Sequence, residues 1–369
     1  MARPTSPPKV GLVLGAGGIL GGAWLTGALH ALATETGWDP GSADYIVGTS
    51  AGSMIGALIA SGIPPWFMVA HSAGEEFGPI GSEQGAEPTE DDRSGGAVFR
   101  LHRRVPSLGP GSWSLALSSL ARPYRHAPAA LVAGWLPRGL MSTEPLKATV
   151  RRACPEGWAP NPGFRAIACD YRDGRRVAFG SSDAPLADLA DAVAASCAIP
   201  GFYHPVRIGD RDYVDGGLRS SSNLDVLLGA GCDLVIALNP MSSLHAASSR
   251  TLGERLAMAM RSAAGRRLGS EARRVREEGT EVILVQPTVH DLDAMGTNLM
   301  SSRRRHEVLE LGVQSVTEHL RESGLDSDLA ARLPAGIAEL VRRPRRPASS
   351  WPSFRELAAA RHPAARSAG

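Results

Sequence analysis

Lysine is almost missing from this 369-residue chain: Lys9 and Lys147 are the only two, and arginine supplies the rest of its 39 basic residues. That bias reads as a trait of genome composition rather than of function. Set against 37 acidic residues, it leaves a formal net charge of +2, too small to argue for nucleic acid. No zinc-finger, RNA-binding or helix-turn-helix pattern accompanies it, so no nucleic-acid partner is expected. Cysteine is also scarce. Cys154, Cys169, Cys197 and Cys232 are far apart with no CxxC, which suggests neither a metal site nor a disulfide framework, and no cofactor or metal is expected. Long hydrophobic runs are absent: none reaches the roughly 18 residues of a membrane-spanning helix. The short, proline-rich start from Met1 to Pro8 leaves no room for a signal peptide. The expectation is a cytoplasmic protein with reduced thiols, in contact with a membrane only at its periphery if at all. Aromatic residues make up 5% of the chain, yet hydrophobic residues reach 43% and charged ones 21%, enough to bury a large α/β core with additions.

What is present is concentrated in a few glycine-rich segments. The strand-like run Asp44-Tyr45-Ile46-Val47 leads into Gly48-Thr49-Ser50-Ala51-Gly52. This GxSxG pattern is that of a nucleophile elbow, in which a serine sits on a strained strand-to-helix turn and Gly48 and Gly52 let strand and helix approach closely. The apolar stretch from Ala51 to Ala60, ending before Gly62 and Pro64-Pro65, predicts the helix that should follow. A glycine-rich turn needed only for tight packing would share this composition, so the elbow alone does not decide the matter.

Nearer the start, Lys9 to Leu14 reads as a buried strand running into Gly15-Ala16-Gly17-Gly18-Ile19-Leu20-Gly21-Gly22, with a helix expected from about Ala23 to Ala33. Such a loop turns several backbone N–H groups toward one point, where they can bind a phosphate or an oxyanion. A dinucleotide-binding loop would need a third glycine where Leu20 stands, and an acidic residue closing the second strand where the Ser50 elbow stands. Gly21 and Gly22 also suit simple close packing. The third segment, Asp210 to Gly217, reads as a turn, a short strand, and Asp215 at its end before Gly216 and Gly217. A carboxylate so placed can approach a serine, although an isolated Asp-Gly-Gly is also an ordinary turn.

Glycine loop, GTSAG and DGG, in that order, resemble the patatin-like phospholipases, serine lipid acyl hydrolases with a Ser-Asp dyad. Ala195 to Pro205 resembles that family's ASxAxPxxF segment, and Asn223 with the strand-like Asp233 to Asn239 fits its pattern, so the resemblance covers roughly residues 9 to 240. It implies an α/β fold of three layers, α/β/α, around a central mostly parallel sheet, with a helical insertion and a helical C-terminal extension. It also implies Ser50 as nucleophile, Asp215 as general base, Gly17 and Gly18 N–H groups as the oxyanion hole, and a lipid or acyl-ester substrate. One departure stands out: the family loop reads GGGxRG or GGGxKG, whereas here Ala16 replaces a glycine and Leu20 the basic residue. Backbone donors survive this change, but the cation's electrostatic help is lost.

A Ser-His-Asp triad is the competing catalytic arrangement. His204 lies near the motifs and His290 follows a strand end at Val285, though neither has a recognisable partner motif; His204 reads as a structural residue near the site and His290 as a surface loop residue. Between nucleophile and base, the acidic, glycine-rich stretch from Gly78 to Gly96 reads as a mobile loop. Ser112 to Leu140 then predicts two short apolar helices, within an insertion of about 97–140 that could form a lid over a lipid cleft or simply cover the sheet. Phe164 to Cys169 and Arg176 to Phe179 read as strands, and Pro185 to Ala195 as a helix. Residues 241–330 should add a long charged helix from Leu252 to Glu278, a strand at Glu281 to Val285 and a helix through Leu320. The tail, 331–369, carries the Arg342 to Pro347 cluster, readable as a solvated linker or as an anionic-lipid contact. Two functions remain open: a hydrolase of fatty-acyl esters, and a non-catalytic lipid-binding or scaffolding relative for which the altered glycine loop is the only support.

Overall fold

A computed structural model describes residues 8–72, 99–102, 109–122, 124, 128–155, 157–243 and 251–322. The expected acidic loop at 78–96, the arginine-proline cluster and the tail lie outside the described residues. The order is β1 (Val10–Leu14), α1 (Gly18–Thr36), β2 (Tyr45–Thr49), α2 (Ala51–Ala60), α3 (Pro65–Ser72), α4 (Trp113–Ala121), α5 (Pro128–Ala133), α6 (Glu144–Ala153), β3 (Phe164–Asp170) and β4 (Arg176–Phe179). It continues with α7 (Leu189–Ser196), β5 (Val206–Ile208), β6 (Arg211–Asp215), β7 (Leu234–Leu238), α8 (Leu252–Arg276), β8 (Glu281–Val285), α9 (Val289–Met295) and α10 (Arg305–Glu322).

The strands form one sheet in the order β5-β6-β3-β2-β1-β7-β8, with β4 on β3. From β3 through β8 neighbours are parallel, while β4, β5 and β6 join antiparallel. Both faces are covered. Along β1 and β7, Leu12, Leu14, Ile236 and Leu238 pack toward α1, α2 and α10, while Val13, Val235 and Ala237 pack toward Leu268, Ala272 and Val275 of α8. Alternate residues serve opposite layers, so the central strands are continuous apolar runs rather than polar-apolar alternations. The three-layer α/β/α arrangement expected from the sequence is the one observed.

The register on β3 brings two distant strand ends together. Ile167 on β3 pairs with Thr49 of β2 and, on its other side, with Ala178 of β4; the next residue, Ala168, pairs with Asp215 of β6 and with Val177 of β4. Because β4 occupies one edge of β3, β2 and β6 must share the opposite edge. They run toward each other along it and end on adjacent rungs. The residues just past Thr49 and at Asp215 therefore meet, although they are far apart in the chain.

Helix α1 starts at Gly18, five residues before the expected Ala23, so most of the glycine loop is already helical. Glycine is a poor helix former, but a Cβ at Gly21 would press on Pro240 and one at Gly22 would touch Ala51. Close approach to neighbouring segments, not conformational freedom, explains those two residues. At α8, Thr251 and Glu254 form a reciprocal capping box that fixes the start of the long helix. His290 is exposed as expected, but it lies on helix α9 rather than in a loop, because Thr288 and Asp291 cap that helix in the same way.

Candidate active site

Ser50 ends β2 and opens α2 with φ 52° and ψ −122°. Only one other non-glycine residue among the described ones has positive φ, Asn223 at 51°, and it borders the same site. Such backbone conformations cost on the order of 1–3 kcal/mol and persist only where the surroundings impose them. Here they do. A Cβ at Gly48 would collide with the backbone of Gly52 and Ser53, and one at Gly52 with the carbonyls of Leu14 and Gly15, so both elbow glycines are required by close approach.

Three consecutive residues at the C-terminal end of α7 hold the two ends in place. The Ser50 N–H donates to Ser196 Oγ (2.9 Å), which itself donates to the Ile167 carbonyl (2.5 Å). Cys197 Sγ–H donates to the Ser50 carbonyl (3.2 Å), and the Asp215 N–H donates to the Ala198 carbonyl (3.0 Å). Ser196-Cys197-Ala198 thus touches the serine's amide, the serine's carbonyl and the aspartate's amide in succession. The sequence marked this segment only as part of a pattern; its physical role spans about 150 positions of chain and leaves no local signal.

The Ser50 hydroxyl lies near enough to the Asp215 carboxyl to lower its pKa, and the Gly217 N–H donates to Asp215 Oδ1 at 2.7 Å. Both side chains are buried, at 4% and 5% exposure. Burial dominates the carboxyl's ionisation and pushes its pKa up to about 6, while the nearby Ser50 hydroxyl and the Gly217 N–H pull the other way. Burial also pushes the Cys197 thiol up to about 12, so beside Ser50 it is a packed hydrogen-bond donor and not a reactive thiolate.

The first turn closes the other side. Ala16 N–H donates to the Ser221 carbonyl (2.8 Å) and Gly15 N–H to the Leu238 carbonyl (2.9 Å). Gly15 faces Asn239 so closely that a Cβ there has no room. Among the described residues the N–H groups of Gly17 and Gly18, at the start of α1, meet no acceptor. Gly18 adopts φ +61°, which favours glycine, and the positive ends of α1 and α2 both open at this site. Leu20, where the resemblance leads one to look for a cation, is buried in the core, and its N–H donates to the Leu299 carbonyl (3.1 Å). The buried Arg261 guanidinium in turn bonds the carbonyls of Pro240 (3.2 Å) and Gly296 (3.3 Å), tying together two segments that touch the loop.

Gly216 follows Asp215 in a 3-10 turn, Gly216–Leu218, pressed against the Ile167 carbonyl. Beyond it Asn223 Nδ2 donates to Ser220 O (2.6 Å) and to Thr49 Oγ1 (3.1 Å), linking the aspartate loop to the elbow strand. Arg176 donates to Asn223 Oδ1 (3.3 Å) and pairs with Asp225. Glu271 of α8, 1% exposed, accepts from Ser222 Oγ (2.7 Å), Leu224 N–H (3.1 Å) and Arg267 (2.8 Å). Ser196, Cys197 and Glu271 were not among the sequence candidates.

Of the two candidate histidines, His290 is exposed on α9. His204 stacks on His102 (ring centroids 4.0 Å) with Nδ1 against the Pro205 carbonyl. Among the described residues no group of three or more His, Cys, Asp or Glu could hold a metal, and no helix is long and apolar enough to cross a membrane. Residues 12–228 match the family model described as Patatin-like phospholipase.

Proposed function

The chain belongs to the patatin-like phospholipase family, and from that premise, which supports lipid acyl hydrolysis in general, we propose a serine hydrolase that cleaves fatty-acyl esters of phospholipids or related lipids through a Ser50 acyl-enzyme. The observation that carries this reading is the juxtaposition of the buried Ser50 and Asp215, brought together where β2 and β6 end on adjacent rungs of β3. Asp215 takes the hydroxyl proton as Ser50 Oγ attacks the ester carbonyl. A carboxylate pushed up to about 6 is a stronger base than an ordinary aspartate and is still mostly ionised at neutral pH. The oxyanion of the tetrahedral intermediate accepts from the Gly17 and Gly18 N–H groups, each such donor being worth about 3 kcal/mol. Collapse expels the alcohol, which takes the proton from Asp215. Water then attacks the acyl-enzyme, giving its proton to the same carboxylate, which passes it to Ser50 Oγ as the acyl–oxygen bond breaks and the fatty acid leaves.

The Ala16 and Leu20 replacements favour the alternative, a non-catalytic lipid-binding or scaffolding relative. Backbone donors free of acceptors at Gly17 and Gly18, together with the Ser50 and Asp215 pair, speak for turnover instead. We place the reaction in the cytoplasm or at the membrane periphery, where the four free thiols would stay reduced. We further take the catalytic unit to extend past residue 240, since Glu271, Arg261 and Leu299 all brace the site. A fluorophosphonate probe tests the proposal: it should label wild type and not Ser50→Ala, and Asp215→Asn should abolish ester hydrolysis while remaining folded. Well-folded wild type that takes no label would establish the scaffold instead.

A further inference from the structure

Of the 13 large hydrophobic side chains exposed among the described residues, 10 lie between Phe99 and Leu140. Their arrangement is not random. On α4, Leu115, Ala116 and Ser119 are buried, and Leu115 with Ala130 and Ala133 of α5 clusters with Val214 and Leu218, on either side of Asp215 in sequence. The opposite face of α4 carries Trp113 (61% exposed), Leu117 (56%) and Leu120 (68%), at the i, i+4, i+7 spacing of a single stripe. Tyr124, just beyond, is 81% exposed. A helix of a water-soluble domain normally turns charged or polar groups outward; this one is apolar on both faces.

The charge of the surrounding chain indicates what would cover that face. From Asp92 to Glu144 no acidic residue intervenes, while seven arginines do: Arg93, Arg100, Arg103, Arg104, Arg122, Arg125 and Arg138. Arg122 caps the C-terminal end of α4 and is exposed there. A second copy packed on this face would bring together two stretches of sequence with the same sign of charge, neither with an acidic residue of its own between Asp92 and Glu144. A bilayer of anionic lipid meets both features: tryptophan, tyrosine and leucine enter the headgroup boundary, and arginines meet the phosphates.

We propose that the outer face of α4 docks the protein on anionic lipid bilayers, with Trp113, Leu117 and Leu120 inserted and Arg122 at the headgroups, on a helix whose other face packs with Val214 and Leu218. The proposal deepens the hydrolase reading by naming how an aggregated lipid substrate is reached, and its readout is independent of turnover. Ser50→Ala protein, which cannot consume the lipid, is co-sedimented with vesicles of pure phosphatidylcholine and of equal parts phosphatidylcholine and phosphatidylglycerol. Binding is expected to favour the anionic vesicles and to weaken at high salt. The further triple substitution Trp113→Ser, Leu117→Ser, Leu120→Ser should lower binding by at least about tenfold with an unchanged thermal midpoint. Arg122→Glu should weaken binding to the anionic vesicles alone.

Failure of the Ser50→Ala protein to bind anionic vesicles, or equal binding by the triple variant, overturns the proposal. A wild-type dimer that the triple variant dissociates, without vesicle binding, assigns the face to self-association and overturns it too. Stripe-dependent vesicle binding by a protein that takes no fluorophosphonate would leave the docking surface standing and remove the hydrolase.

Discussion

The elbow and the outer face of α4 obey opposite rules. At the elbow Ser50 has partners for its amide and carbonyl, and the Asp215 carboxylate and amide are likewise held; the cost of a strained serine and a buried carboxylate is carried by Ser196-Cys197-Ala198, Asn223 and Gly217. On α4 the three stripe side chains stand in solvent and hold nothing in place. The contrast teaches where this fold is rigid by necessity and where its surface is free to serve another purpose. Substitutions at the first region should cost activity, stability or both; at the second they should cost neither.

Asp215→Asn should give the largest effect, a fall of about 10³-fold or more in kcat/KM toward an ester, measured on protein whose circular dichroism matches wild type. Retention of more than a tenth of the activity would break the comparison by showing that the pairing at the elbow is structural. Next in size is a pH effect on stability. Because the folded carboxyl is pushed from 3.8 up to about 6, the folded state holds its proton longer than the unfolded chain does. Stability should therefore fall as pH rises from about 4 to about 6 and level off above, by about 3 kcal/mol. Urea unfolding of wild type and Asp215→Asn across that window should show the slope only in wild type.

Ser196→Ala removes the acceptor of the Ser50 N–H and the donor to Ile167, and should destabilise by about 1–3 kcal/mol, read from denaturant midpoints. A neutral result would mean that the elbow strain is sustained elsewhere. Smallest of all, Trp113→Ser, Leu117→Ser and Leu120→Ser together should change stability by no more than about 0.5 kcal/mol each. A large loss would show that the stripe is packed against the protein in solution and would erase the contrast between the two regions.

Legibility in the sequence divided along similar lines. Ser50, Asp215 and the glycines around them could be found because backbone geometry demands specific residue types: a serine between two glycines at a strand end, a carboxylate before Gly216-Gly217. The helix α2 came out at Ala51–Ala60 as expected, since its apolar run and its terminating glycine are local features. The onset of α1 did not, because the packing of Gly21 on Pro240 and of Gly22 near Ala51 is tertiary and overrides helix propensity. Nothing near Ser196 or Glu271 in sequence announces that one supports the elbow and the other the loop after Asp215. The head-on meeting of β2 and β6 along one edge of β3 is likewise a property of register, invisible until the sheet is assembled.

The most direct test is the pH dependence of Ser50 phosphonylation by a fluorophosphonate under pseudo-first-order conditions. With Asp215 as the base, the rate should rise through a single ionisation near pH 6 to a plateau, and Asp215→Asn should flatten the profile and lower it throughout. A rising limb that persists in Asp215→Asn and vanishes in His204→Ala would contradict the account, because the proton would then leave Ser50 by an imidazole.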